Sequence, residues 1–171
     1  MAIMEAIETV YLEADAASVT FSSIPATYEH LQLRYSLRST RSTQAYDNIY
    51  VRFNGDTGTN YSGHYLLGYA TTKAAGGTTS QSNTWTYRAS AGTAVSAQYG
   101  VGRMDIYDYQ NTNKNTAFTG IGGTNGSYNE IGMFEGLWDS TAAVTSILLY
   151  PTATTNWVRG SEFTLYGLKS S

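Results

Sequence analysis

The chain has 171 residues, a formal net charge of -3, only 13% charged side chains and no cysteine. That length supports one domain with a real core. The missing cysteine excludes disulfides and thiolate metal sites, and the mild acidity argues against a nucleic-acid binder, which presents a basic face. Charge at about half the roughly 25% of an ordinary domain leaves the polar surface to Thr, Ser, Asn, Gln and Gly. Fifteen tyrosines and 17 glycines favour strands and tight turns over helices.

Residues 1–12 come first. Ile3, Ile7 and Val10 are helix-spaced, but the stretch is short and reads equally as an extended arm. It has neither a basic start nor a long apolar run, so no secretory signal is expected, and the Asn-x-Ser sequons at Asn60 and Asn125 then carry no weight. No run approaches 18 apolar residues, so no spanning helix is expected.

The period-two signal is strongest over Val19–Phe53. Leu31, Leu33, Tyr35 and Leu37 alternate with Gln32, Arg34, Ser36 and Arg38, and Ile49, Val51 and Phe53 alternate with Tyr50 and Arg52. Such alternation marks half-buried antiparallel strands. If the two strands pair, Arg34 and Arg52 share a polar surface. Pro25, which fixes φ, makes a corner between two sheets. His30 is expected to bond a nearby carbonyl where its strand starts. Asn54-Gly55-Asp56-Thr57-Gly58 supplies the positive φ that ends the second strand.

Further strands are expected over 8–13, 17–22, 61–69, 84–89, 102–109, 116–121, 129–138, 143–150 and 161–168, with 74–79 and 122–126 as flexible connections. In residues 144–150 and 128–138 the alternation fails: Ile147 and Leu149 oppose Leu148 and Tyr150, and Ile131 and Met133 oppose Phe134 and Trp138. Strands apolar on both faces are covered on both faces, by a loop of the same chain or by another subunit. The expected fold is therefore all-β, a jelly-roll-like antiparallel β-sandwich over 13–171 with a short N-terminal arm over 1–12.

Catalytic signatures are missing. There is no G-x-S-x-G elbow, H-E-x-x-H, P-loop or G-x-G-x-x-G. Two histidines supply zinc poorly, and the spacing of a calcium loop is absent. Asp105 and Asp108, three apart, face opposite sides of an extended strand, a poor acid–base pair for glycoside hydrolysis. No catalytic, cofactor or metal residue is assigned. The candidates are interface residues: Arg34, Arg52, Trp138, Tyr150 and Trp157, the last in a loop where it could meet a partner or a glycan.

Three stretches carry a resemblance. They are Val19-Thr-Phe-Ser-Ser-Ile-Pro-Ala-Thr-Tyr-Glu-His-Leu-Gln-Leu-Arg34 with Leu37–Ser42, then Val51-Arg-Phe-Asn-Gly-Asp-Thr-Gly-Thr-Asn-Tyr61, and Thr145–Tyr150 with Gly160-Ser-Glu-Phe-Thr-Leu-Tyr-Gly-Leu-Lys169. Their order resembles β-sandwich structural proteins of tailed bacteriophages, of the kind found in phages of marine and freshwater bacteria. The resemblance covers both ends of the domain and leaves about 70–128 unmatched. It implies a non-enzymatic virion protein, made in the host cytoplasm and assembled on the particle surface. The first expectation is a capsid decoration (cement) protein, trimeric, bridging major capsid subunits, with the acidic arm (Glu5, Glu8, Glu13, Asp15) as a strap. The alternative is a tail or tail-fibre module that binds cell-surface carbohydrate. The chain has no heptads or repeats of a fibre shaft.

Overall fold

A strand with one leucine row and one polar row leaves water on one side only if a second layer covers the leucines. The computed structural model describes residues 3–125, 129–152 and 154–170, and it builds two such layers from twelve strands. These are β1 (Ile3–Tyr11), β2 (Val19–Phe21), β3 (His30–Leu37), β4 (Tyr46–Phe53), β5 (Tyr61–Tyr69), β6 (Thr72–Gln81), β7 (Thr84–Ser90), β8 (Gly100–Ile106), β9 (Thr116–Thr124), β10 (Glu130–Trp138), β11 (Ile147–Tyr150) and β12 (Glu162–Lys169). One sheet has eight strands in the order β1-β12-β3-β8-β9-β10-β5-β6, the other four in the order β2-β11-β4-β7. All the strand pairs are antiparallel.

The path is that of a jelly roll. From β2 to β11 the chain moves back and forth between layers, giving β2-β11-β4-β7 against β3-β8-β9-β10-β5-β6. The eight-strand plan has one strand where this chain runs the meander β8-β9-β10. β12 and β1 extend the large sheet beyond β3. The expected all-β sandwich is the observed fold, and Pro25 lies in the connection that carries the chain from the small sheet to the large one.

Leu31, Leu33 and Leu37 of β3, Met104 and Ile106 of β8, Phe118 of β9 and Phe163 and Leu165 of β12 are fully buried. They face Phe21, Ile49, Val51, Phe53, Ile147 and Leu149 of the small sheet, all within one continuous core. Glycines complete this face. A Cβ on Gly122 or Gly132 would run into the Tyr87 ring, one on Gly120 into Phe134, and one on Gly136 into Phe118. Each inward glycine is therefore the floor for an aromatic side chain from a neighbouring element.

Two carboxylates are buried and matched. Glu130 accepts from the Tyr87 hydroxyl and pairs with Arg88 at 2.5 Å. Asp47 accepts from the Thr152 and Thr155 hydroxyls and the Asn48 amide, with Arg41 at 3.7 Å. Burial, and then the bond to Glu130, push the Tyr87 phenol well above its ordinary range.

Three expectations are corrected, and the pairing left open for β3 and β4 is answered first. β3 and β4 do not pair but lie in opposite sheets, so Arg34 and Arg52 are on opposite outer surfaces. The expected arm is an edge strand, because residues 3–11 pair with β12 along its length. Residues 74–79, expected as a flexible connection, lie within β6, an edge strand whose hydrogen bonds need no apolar alternation. His30 does not bond a carbonyl: its Nδ1 accepts the Asp108 amide N–H at 3.0 Å.

Candidate functional site

The outer face of the large sheet carries the most exposed apolar cluster. In β10 the inward positions are Glu130, Gly132, Phe134, Gly136 and Trp138, which turns Ile131 and Met133 outward. Cross-strand register then sets a row: Leu66 opposite Met133, Met133 opposite Ile121, Ile121 opposite Arg103, and Arg103 opposite Arg34. The neighbouring row holds Ile131, Gly123 and Val101. Ile131 is 61% exposed, Met133 58%, Leu66 57% and Val101 55%. Gly68 and Gly123 flank Ile131 and leave hollows beside it. A further hollow of about 450 Å³ runs past Leu66, Met133 and Ile121 to the polar row of His64, Glu135 and Asp105. Nothing among the described residues covers this stripe.

Its margin is charged and ordered. Arg34 Nε donates to Gln32 Oε1 at 2.7 Å, its guanidinium lies 5.0 Å from the Tyr166 ring centre, and Gln32 Nε2 donates to Asp105 Oδ1 at 2.6 Å. Arg103 Nε stands 3.5 Å from Asp105 Oδ2.

Of the five sequence candidates, Arg34 alone lies on this face. Arg52 and Tyr150 share the outer surface of the small sheet. There the Arg52 guanidinium sits 5.0 Å from the Tyr150 ring centre, and its Nε donates to Ser82 O at 2.9 Å. Burial raises the Tyr150 phenol above its ordinary range, with Arg52 pulling the other way. Trp138 and Trp157 are core residues: for Trp138 this is the core side of a core-or-interface expectation, and for Trp157 it corrects the expected loop contact with a partner or glycan. Trp138 Nε1 donates to Asp56 Oδ2 at 2.7 Å, and Trp157 packs edge-on to Phe163 and bridges both Ala16 and Ser39. A ring in a short connection is drawn inward because the segment closes one end of the sandwich. Leu66, Val101 and Ile121 went unmarked in the sequence. The signal that marks them is glycine in phase with the buried aromatics, which moves the apolar residues between to the outside.

The residues of the Asn54–Tyr61 motif hold the fold together. Asn54 and Gly55 take φ of 52° and 67°. Asp56 accepts from Asn60 Nδ2, the Trp138 indole and the Gly58 amide, and the first two hold its carboxyl below the usual range. The Tyr61 hydroxyl accepts the Phe53 amide at 3.0 Å, and burial pushes its phenol up to about 12.

A second concavity lies where the β5–β6 hairpin overhangs the free edge of β7. It is a cleft of about 280 Å³ lined by Asn48 and Tyr50 of β4, Tyr65 and Leu67 of β5, Thr78 and Gln81 of β6, Asn83, and Trp85 and Arg88 of β7. Tyr65 and Trp85 meet edge to face at 5.1 Å.

Among the described residues, no group of three or more His, Cys, Asp or Glu is placed to hold a metal ion. Asp105 and Asp108 stand in separate clusters, the first with Gln32 and Arg103, the second with Lys114 and His30. No protein-family model, curated protein or solved structure matches this chain.

Proposed function

We propose that this chain is a non-enzymatic structural protein of a tailed-bacteriophage particle. In this reading it is a capsid decoration protein that forms trimers on the outer shell and ties major capsid subunits together. The observation that carries the reading is the uncovered stripe of Leu66, Val101, Ile121, Ile131 and Met133 on one face of a chain with few charges. Contiguous exposed apolar side chains mark association surfaces, and interfaces that never open are the more apolar ones. The stripe is accordingly the trimer contact, with Arg34 and Arg103 at its rim. Support for the particle comes from the three stretches that resemble phage virion proteins. They are adjacent in the fold: β3 pairs with β12, Tyr28 lies over Gly167, and β4 pairs with β11.

The mechanism is additive burial. Each contact is modest, but many copies engaging one lattice stabilise the shell beyond any single interface. Quantifying the chain against the major capsid protein in purified particles tests this. A copy number on the scale of the shell subunit is expected. A copy number on the scale of tail components overturns the decoration reading in favour of a tail module.

A further inference from the structure

We infer that the cleft between β7 and the overhanging β5–β6 hairpin is a binding site for a neutral saccharide. This inference is independent of where on a particle the chain sits, and it uses none of the apolar stripe.

The lining has the chemistry of a sugar site. Trp85, Tyr65 and Tyr50 bring three half-buried rings to one cleft. Aromatic faces pack on the apolar C–H face of a pyranose while their polar tips stay available for hydrogen bonds. Around them stand carboxamides and a hydroxyl, Asn48, Gln81, Asn83 and Thr78, which both donate and accept as sugar hydroxyls require. The lining is mostly polar with three aromatic rings set in it, which suits a hydroxyl-rich ligand rather than an apolar one.

Three further observations narrow the ligand. Among the described residues, the Trp85 indole N–H, the Asn48 carboxamide and the Tyr50 and Tyr65 hydroxyls have no hydrogen-bond partner, so their capacity is open. The lining has no carboxylate, and its one cation, Arg88, is already paired with buried Glu130 at 2.5 Å and stacked 3.9 Å from the Tyr46 ring centre. A charged ligand therefore has no free counter-charge, whereas a polyhydroxylated neutral one has partners. The volume of about 280 Å³ lies at the small end of ligand sites, which start at roughly 300 Å³. It suits a single sugar ring with the rest of a glycan outside.

The indole N–H groups make the test direct. Trp138 Nε1 is held by Asp56 and Trp157 Nε1 faces Leu149 O, so only Trp85 has a free indole donor among the three. The ¹⁵N-labelled full chain is titrated with methyl glycosides of glucose, galactose, mannose and N-acetylglucosamine, with lactose and cellobiose, and with methyl glucuronide and sialyllactose as acidic arms. Saturable shifts of the Trp85 indole and Asn48 carboxamide signals with at least one neutral sugar are expected, with Trp138 and Trp157 unmoved. Asn48→Ala, which leaves the core intact, should weaken that sugar about fivefold to tenfold, the loss of one or two hydrogen bonds. Trp85→Ala should abolish binding in a chain whose other indole signals keep their native positions. No saturable shift with any neutral sugar, shifts with the acidic arms only, or unchanged affinity in Asn48→Ala overturns the inference.

Discussion

The two outer faces of this sandwich handle aromatic and aliphatic side chains in opposite ways. On the four-stranded sheet, Tyr50 packs on Tyr150 with ring centres 5.5 Å apart, Arg52 lies over Tyr150, and all three are half-buried. On the eight-stranded sheet, Leu66, Ile131 and Met133 stand in register with one another or with glycine and are each more than half exposed. One face shields its apolar surface with its own residues, while the other leaves it exposed. If copies associate as proposed, the difference predicts a direction: through the large sheet, with the small sheet outside.

That contrast depends first on which rows face inward. Leu33→Asp places an unpaired charge in the centre of β3 and should cost at least about 4 kcal/mol, enough to unfold the domain. A cooperative thermal melt of this variant by circular dichroism would show that the leucine row is not interior. Gly132→Ala tests the phase of β10, because the added methyl meets Tyr87. Overpacking of this kind should destabilise by about 2 kcal/mol in denaturant titrations. A neutral result would mean that Gly132 is not under a ring, and the outward placement of Ile131 and Met133 would fall with it.

Arg52→Ala sharpens the comparison from the other face. The loss of one cation–π contact and one carbonyl bond should lower stability by about 1 kcal/mol and leave the oligomeric mass unchanged. A change in mass would give the small sheet a share in association. The smallest effect concerns pH. Bonds from Asn60 and Trp138 hold Asp56 below its unfolded value of about 3.9. Its contribution is therefore complete above that value and is lost as pH falls through the depressed folded one. In urea titrations the margin of wild type over Asp56→Asn should shrink below about pH 4, and a margin independent of pH would contradict the clasp.

Much of the fold was readable because burial writes itself into alternation. The leucine row of β3 and the Ile49, Val51, Phe53 row of β4 are interior as expected, and the strands they predict lie within a few residues of those observed. What alternation does not encode is partnership: nothing local says that β3 and β4 join different sheets. β6 was invisible because an edge strand of Ala, Gly and Thr is held by backbone bonds alone. The site was partly legible. Ile131 and Met133 betrayed themselves by opposing Phe134 and Trp138. Leu66, Val101 and Ile121 did not, because inward glycines and a matched buried glutamate invert the usual pattern of apolar in and polar out. Trp157 misled for the reverse reason, since a ring in a Thr- and Asn-rich connection reads as exposed until the end of the sandwich it plugs is known.

The solution mass of the purified chain, measured by light scattering on a sizing column beside the double variant Ile131→Asp/Met133→Asp, tests the central claim most directly. Wild type should elute at three times the 18.6 kDa chain mass, and the variant as a single chain with its melting cooperativity retained. A monomeric wild type, or a variant that keeps the wild-type mass, would contradict the assignment of the large sheet's outer face as the place where copies meet.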